Sequence, residues 1–129
     1  MRYNGCMTKV AIISTLLFAV ACGDNIDPGP RVETWGDAEA VWAEAWCSYT
    51  GRCYPEDLAL FYDTHEECVA DVIADNCTYR QRTGFPDCDT LFPQIHVDEI
   101  EQCGQEMADL TCGATRAPDI CFTAFSESK

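Results

Sequence analysis

The chain has 129 residues, including ten cysteines, and its 22 acidic and 8 basic side chains give a formal net charge of −14. This length allows one small domain, and the negative charge disfavours nucleic acid and anionic lipid head groups as partners because like charges repel. The cysteine content favours an oxidising compartment, where small domains use disulfides to supplement a limited core.

The first twenty-one residues have the pattern of an export signal. Arg2 and Lys9 are basic, residues 10–21 form an uncharged apolar run, and residues 19–21 are small, as a signal peptidase requires. The run is too short to cross a bilayer, which takes about twenty residues as a helix. We predict a signal peptide at residues 1–21, with translation starting at either Met1 or Met7.

Cys22 follows the predicted cut and leaves two processing routes open. Small residues ending in cysteine are similar to a bacterial lipobox, although Ala19 stands where the lipobox usually has leucine. The same small residues suit an ordinary signal peptidase, which would give a secreted protein with a spare thiol. Removing Cys6 with the signal leaves nine cysteines, and nine cannot all pair. Lipid on Cys22 leaves an even eight, so we predict lipidation.

A flexible tether and a first helix follow. Residues 22–33 are rich in proline, glycine and aspartate and predict a lipid-anchored tether. Thr34 is a suitable N-cap, with Asp37 in the first turn, and Gly51 is a suitable stop. Apolar residues at helical spacing fill the segment between: Ala38, Val41, Trp42, Ala45, Trp46 and Tyr49. We expect this face to be core, and a ligand slot lined by the two tryptophans is the alternative.

The cysteines then repeat with an offset of 35 residues. The shared spacing, 15 and then 9 positions, relates two trios: Cys53, Cys68, Cys77 and Cys88, Cys103, Cys112. Asp63 and Glu66 recur at the same offset as Asp98 and Glu101, and a D-x-x-E pattern is typical of a helix start. We therefore predict a pseudo-repeat whose unit is a loop cysteine followed by a capped helix that runs from the second cysteine to the third.

The cysteine repeat and the residues around it predict the remaining helices and loops. Helix two is expected from Asp63 to Cys77 and helix three from Asp98 to Cys112, with a turn at Gly113. Residues 54–62 are expected to form a short helical turn, residues 78–86 a linker, and residues 117–125 a short fourth helix. Arg80 and Arg82 are in the linker, where we expect them to be solvated; an anion site is the alternative.

Eight cysteines allow 105 connectivities, so the pairing is a hypothesis. The repeat favours one link in each copy between loop and helix start: Cys53 with Cys68, and Cys88 with Cys103. The two cysteines at the helix ends then pair with the two cysteines outside the repeat, Cys77 with Cys47 and Cys112 with Cys121.

Motifs that carry chemistry are few. No two cysteines have the C-x₂₋₄-C spacing of zinc knuckles, and C-x-x-C redox motifs are missing with them. His65 and His96 are the only histidines and are expected to be exposed, and no G-x-S-x-G nucleophile motif is present. We predict no catalytic, cofactor or metal site. A hydrolase using His65 or His96 is the alternative.

The order of these features resembles the small acidic cysteine-rich lipoproteins of Gram-negative bacteria. It consists of Cys22 after an apolar run, a Pro/Gly tether, and the cysteine frame from Cys47 to Cys112. The resemblance implies a place in the cell envelope more than an activity.

Together, these patterns predict an all-α, disulfide-stapled domain at residues 34–125 with three main helices and a short C-terminal helix. We expect a lipid-anchored binding or structural module whose partner is an unidentified protein or envelope component. A small secreted effector or inhibitor is the alternative.

Overall fold

Helix α1, Trp35–Cys53, lies at the centre of the fold. The computed structural model describes residues 31–126, and its remaining elements are listed in chain order: α2 Pro55–Leu58, α3 His65–Thr83, a 3₁₀ turn Gln94–His96, α4 Val97–Ala108 and α5 Asp119–Ala124. Helices α3 and α4 both pack on α1, and α5 packs on α4. The predicted all-α class is confirmed. Within residues 31–126 no helix combines the length and apolar character that a bilayer crossing requires.

The N-terminus of α1 is closed by the predicted cap. The Asp37 amide donates to Thr34 Oγ1 at 3.2 Å, and the Thr34 amide donates to Asp37 Oδ2 at 2.8 Å, so a capping box is complete. The bond from the Thr34 amide lowers the pKa of the Asp37 carboxyl, against the opposing effect of burial. Two free N–H groups of the first turn thereby gain partners.

The fold begins before residue 34. Val32, in the predicted tether, is 4% exposed and belongs to the core. The Phe92 amide donates to the Glu33 carbonyl oxygen at 2.9 Å, and the Trp35 amide donates to that of Thr90 at 2.9 Å. The chain therefore joins the domain as an extended pair with the segment before α4.

The predicted stop at Gly51 is wrong, because α1 continues to Cys53. The Arg52 guanidinium donates through Nη2 to the carbonyl oxygens of Ala108 at 2.6 Å and Leu110 at 2.8 Å. These oxygens lie where α4 ends, so a cation meets the negative end of that helix. Contacts with the end of α4 therefore stabilise the last turn of α1, and residues near Gly51 in the sequence do not predict these contacts.

Helix α3 starts and ends later than predicted. Its N-cap is Thr64 rather than Asp63: Thr64 Oγ1 accepts from the Glu67 amide at 3.1 Å, and Glu67 Oε2 accepts from the Asp63 amide at 2.9 Å. The helix continues beyond Cys77 to Thr83 and closes at Gly84, whose φ of 77° is left-handed. Most of the predicted linker is therefore helical.

Helix α4 also departs from the predicted unit. It begins at Val97, directly after the 3₁₀ turn and one residue before Asp98, and it ends at Ala108. Cys112 therefore lies beyond the helix, where it bonds to Cys53 of α1. Because Cys77 is inside α3 and Cys112 is outside α4, the cysteine repeat does not correspond to two equivalent helices.

The core is divided between two ends of α1. Five side chains pack with Val32 at one end: Trp35, Ala38, Phe92, Ile100 and Ala124. The Trp35 and Phe92 rings meet edge to face with centroids 4.7 Å apart, a favoured aromatic geometry. At the other end, Ala45, Tyr49 and Met107 form a second cluster, with Trp42 and Trp46 partly buried against it. The predicted apolar face of α1 is thus largely core.

All eight cysteines of the domain form disulfides, but the predicted pairing is wrong in every link. The bonds are Cys47–Cys68, Cys53–Cys112, Cys77–Cys88 and Cys103–Cys121. The prediction tied each helix to its own preceding loop. In the fold α3 and α4 lie against α1, which brings Cys68 and Cys112 to the two cysteines of α1, whereas Cys77 bonds to the segment after α3 and Cys103 to α5.

The pairing nevertheless respects the repeat, in a reciprocal way. The first cysteine of the first trio bonds to the third of the second, as Cys53–Cys112, and the third of the first trio bonds to the first of the second, as Cys77–Cys88. The two middle cysteines bond to the two outside the repeat, Cys47 and Cys121. Cys53–Cys112 and Cys77–Cys88 therefore cross-link the two copies, and each of these bonds joins the first cysteine of one copy to the third cysteine of the other.

The close approach of α4 to α1 predicts opposite effects for two helical glycines. A Cβ on Gly104 would lie 2.7 Å from Val41 Cγ1, and a β-branched side chain in a helix has little rotamer freedom to withdraw. A Cβ on Gly51 would meet only Leu58 Cδ2, at 3.4 Å. Gly51→Ala should raise the free energy of unfolding by about 0.5–1 kcal/mol, the usual gain in a helix interior.

Gly104→Ala should lower the free energy of unfolding despite the same gain in helix propensity. Chemical denaturation of the two variants beside the parent protein measures both effects. A stabilising Gly104→Ala would show that α4 does not pack against Val41 as closely as described.

Candidate functional site

An aromatic groove opens between α1, α3 and α5, with a volume of about 390 Å³. Five aromatic side chains line it: Trp42, Tyr79, Phe85, Phe122 and Phe125. Tyr79 is 61% exposed, Phe122 59% and Phe85 44%. Scattered exposed apolar residues are ordinary, but several around one concavity mark a surface that binds something. We refer to this feature as the aromatic groove.

Three polar side chains form the floor of the aromatic groove. Arg80 Nε donates to Glu39 Oε1 at 2.6 Å, and Asn76 Nδ2 donates to Glu39 Oε2 at 2.8 Å. Glu39 and Arg80 are only 5% and 7% exposed. Both carboxylate oxygens are thus occupied, and the two buried charges neutralise each other, as burial of ions requires.

Arg80 is also stacked against aromatic rings. Its guanidinium carbon lies 4.1 Å from the centroid of the Trp35 ring and 5.8 Å from that of Phe125. Cation–π attraction adds to the ion pair in such a position. The expectation of a solvated Arg80 in a linker is therefore wrong, whereas Arg82 is exposed as expected.

The sequence contained a signal for this floor. Asn76 and Arg80 are four residues apart, so on a continuous helix they share one face. The predicted helix two ends at Cys77 and so does not include Arg80, which is why the prediction misses this shared face. Glu39 belongs to α1, and only the packing of α3 on α1 brings it to the pair.

The guanidinium of Arg80 retains donors for a ligand. It carries five N–H groups, and within residues 31–126 only its Nε–H has a hydrogen-bond partner. Arg80 lines the groove, although its side chain is only 8% exposed. The groove therefore combines apolar walls with hydrogen-bond donors at the floor, which is the usual chemistry of a binding site.

An acidic trough adjoins the aromatic groove. Its charged lining comes from α4 and the segment around the start of α5: Asp98, Glu101, Glu106, Asp109, Asp119 and Arg116. Arg116 forms an ion pair with Asp119, so the other carboxylates dominate the trough. Ala117 lines both the groove and the trough, so the two surfaces adjoin at this residue.

A second exposed apolar surface lies between α2 and α3. Leu60 and Phe61 are each 78% exposed. The Tyr62 hydroxyl beside them donates to Asp71 Oδ2 at 2.8 Å, and this bond, with burial, raises the pKa of Tyr62. In the described part of the chain no buried ion pair lies beneath this surface, which distinguishes it from the aromatic groove.

The two histidines lie outside both the groove and the trough. His65 Nε2 contacts Glu44 Oε1 of α1 at 2.8 Å, and His96 Nδ1 contacts Glu99 Oε2 at 2.6 Å. The His65 side chain is 37% exposed, whereas that of His96 is 15% exposed, so the expectation of an exposed histidine is wrong for His96. Each histidine therefore contacts a single glutamate, His65 joining α3 to α1 and His96 lying at the start of α4.

The remaining predicted features fall on other parts of the chain. The predicted signal peptide, Cys22 and most of the tether lie outside the described residues. Among residues 31–126 no three His, Cys, Asp or Glu side chains come together as metal ligands would.

Comparison with known proteins gives no relative. No protein-family model matches the chain, and neither a curated protein nor a solved structure is significantly similar to it. The geometry of the aromatic groove is therefore the basis for any statement about function.

The floor of the groove predicts a large cost when one charge is removed. Glu39→Leu or Arg80→Met alone should lower the free energy of unfolding by about 3–5 kcal/mol, because an unpaired charge stays buried. The double variant should lose less free energy of unfolding than the two single variants together, because neither charge is then left unpaired in the interior. Chemical denaturation measures all three.

Arg82→Met is the matched control, because this exposed arginine on the same helix should change stability by no more than about 0.5 kcal/mol. Equal losses for Arg80→Met and Arg82→Met would contradict the buried ion pair.

Proposed function

We propose that this protein is an exported, lipid-anchored module of the cell envelope whose aromatic groove binds an apolar segment of a partner protein. The observation that carries the proposal is the aromatic groove itself. Tyr79, Phe85 and Phe122 stand largely exposed around a floor that holds a buried Arg80–Glu39 pair. Aromatic side chains at such positions are the ones that dominate binding energy in protein interfaces.

Filling the groove gives a modest physical gain. Covering its apolar lining contributes about 3 kcal/mol at about 25 cal/mol per Å². This gain is smaller than the association cost of about 4–15 kcal/mol. The groove can anchor a partner segment, and firm binding therefore requires further contacts beside it.

The preformed shape of the groove favours binding as well. The walls belong to α1, α3 and α5, and disulfides attach α3 to α1 and α5 to α4. The floor is fixed by two hydrogen bonds to Glu39. A partner therefore meets an ordered surface, which reduces the entropy lost on binding.

The cysteines and the predicted signal sequence support the proposal that the protein is exported and lipid-anchored. Four disulfides indicate an oxidising compartment outside the cytoplasm. The eight cysteines of residues 31–126 pair with one another. Once Cys6 is removed with the signal, Cys22 is the one cysteine left over, which supports its modification by lipid.

Site-specific photo-crosslinking in intact cells tests this proposal. Phe122 in the groove and Phe61 outside it are both exposed phenylalanines, so each can be replaced by benzoylphenylalanine in the full chain. We expect illumination to give one reproducible protein adduct from position 122 and none of that mass from position 61. We expect the product in the membrane fraction with a lipid-modified N-terminus by intact mass.

One variant and the parent protein test the lipid anchor separately from the groove. Cys22→Ala should move the protein to the soluble exported fraction, and an unmodified N-terminus on the parent protein would indicate the secreted alternative instead. Identical adducts from positions 122 and 61, or none from position 122, would contradict a binding role for the aromatic groove.

A further inference from the structure

We infer that the partner segment carries lysine or arginine residues next to its apolar anchor, so that one segment fills the aromatic groove and the acidic trough together. This inference rests on the proposed function of the groove. It names the chemistry of the partner, which is a peptide segment with an apolar part and a basic part.

The first argument is that the two surfaces adjoin. Ala117 lines both, and α5 contributes Phe122 to the groove while Asp119 at its start lines the trough. A segment that fills the groove and extends past Ala117 can therefore reach the carboxylates of the trough. The order of chemistry along the surface, apolar and then acidic, is complementary to a segment that is apolar and then basic.

The second argument is the distribution of charge. Residues 31–126 contain nineteen acidic and five basic side chains. Three of the five arginines are engaged within the domain: Arg52 with carbonyl oxygens, Arg80 with Glu39, and Arg116 with Asp119. The surface field is therefore negative, and a basic segment is attracted before contact.

The third argument comes from the floor of the groove. Because Arg80 and Glu39 neutralise each other, the floor neither attracts nor repels a net charge strongly. The terminal N–H groups of Arg80 can donate to a neutral acceptor such as a peptide carbonyl oxygen. A bare hydrocarbon chain has no such acceptor, so the floor favours a peptide over a lipid tail.

Labelled synthetic peptides titrated against the purified, disulfide-intact protein test the inference. The probe has leucines at one end and lysines at the other, and a second peptide has glutamines in place of the lysines. At an ionic strength of about 0.01 M, where the Debye length is about 30 Å, the lysine peptide should bind about tenfold more tightly than the glutamine peptide. The difference should shrink at about 0.15 M, where that length is about 8 Å.

Three double variants locate the binding. Tyr79→Ala with Phe122→Ala, in the groove, should weaken both peptides about tenfold or more. Glu101→Gln with Glu106→Gln, in the trough, should weaken only the lysine peptide, by about threefold or more. Glu56→Gln with Glu66→Gln removes the same charge elsewhere and should leave both peptides nearly unchanged.

The outcomes separate this inference from the proposed function. Equal affinity for the two peptides, with both weakened by the groove variant, would overturn the basic segment and leave the groove as a binding site. Equal losses from the trough variant and its charge-matched control would also overturn the inference, because attraction would then be general. Binding of neither peptide, or binding that the groove variant does not weaken, would overturn both.

Discussion

The fold depends on two disulfides that join the copies of the cysteine repeat to each other, Cys53–Cys112 and Cys77–Cys88. Cys53–Cys112 holds the end of α1 to the segment after α4, and Cys77–Cys88 holds α3 to the segment that pairs with the start of α1. In the chain-entropy account such links destabilise the unfolded state, by about 4 kcal/mol for the loop of 59 residues and about 3 kcal/mol for that of 11. The other two bonds attach α3 to α1 and α5 to α4, so each main helix is covalently attached to the rest.

The aromatic groove follows from this arrangement. Its α3 wall is positioned by Cys77–Cys88, which adjoins Asn76 of the floor, and its α5 wall by Cys103–Cys121, whose Cys121 itself lines the groove. A small acidic domain of this kind buries a modest core, and Phe122 and Tyr79 remain outside it although they are large and apolar. Disulfides stabilise a small domain by restricting its unfolded state. Two of them also position walls of the groove, the surface that we propose binds a partner.

Local signals predict which segments are helical, and long-range contacts account for most of the differences at the helix ends. Thr34 and Asp37 formed the predicted cap because a capping box needs only residues three positions apart. The predicted helix ends at Gly51 and Cys112 are wrong because of contacts more than fifty residues apart: Arg52 binds carbonyl oxygens at the end of α4, and Cys53 bonds to Cys112 in the segment beyond it. The pairing was wrong for the same reason: spacing shows that the cysteines repeat, and only the packing of α3 and α4 on α1 shows which ones meet. A helix two that ends at Cys77 leaves Arg80 out, so the predicted helix misses the four-residue spacing of Asn76 and Arg80, and Glu39 joins them only through the packing of α3 on α1.

The reciprocal cross-linking of the two copies is the central claim, and disulfide mapping of the unreduced protein tests it most directly. Cleavage after acidic residues, combined with tryptic cleavage after Arg52, gives each of the eight cysteines of the domain its own peptide. We expect mass spectrometry to find the peptide of Cys53 joined to that of Cys112 and the peptide of Cys77 joined to that of Cys88. Links within a copy, such as Cys53 to Cys68 or Cys88 to Cys103, or free thiols at these positions, would contradict the account.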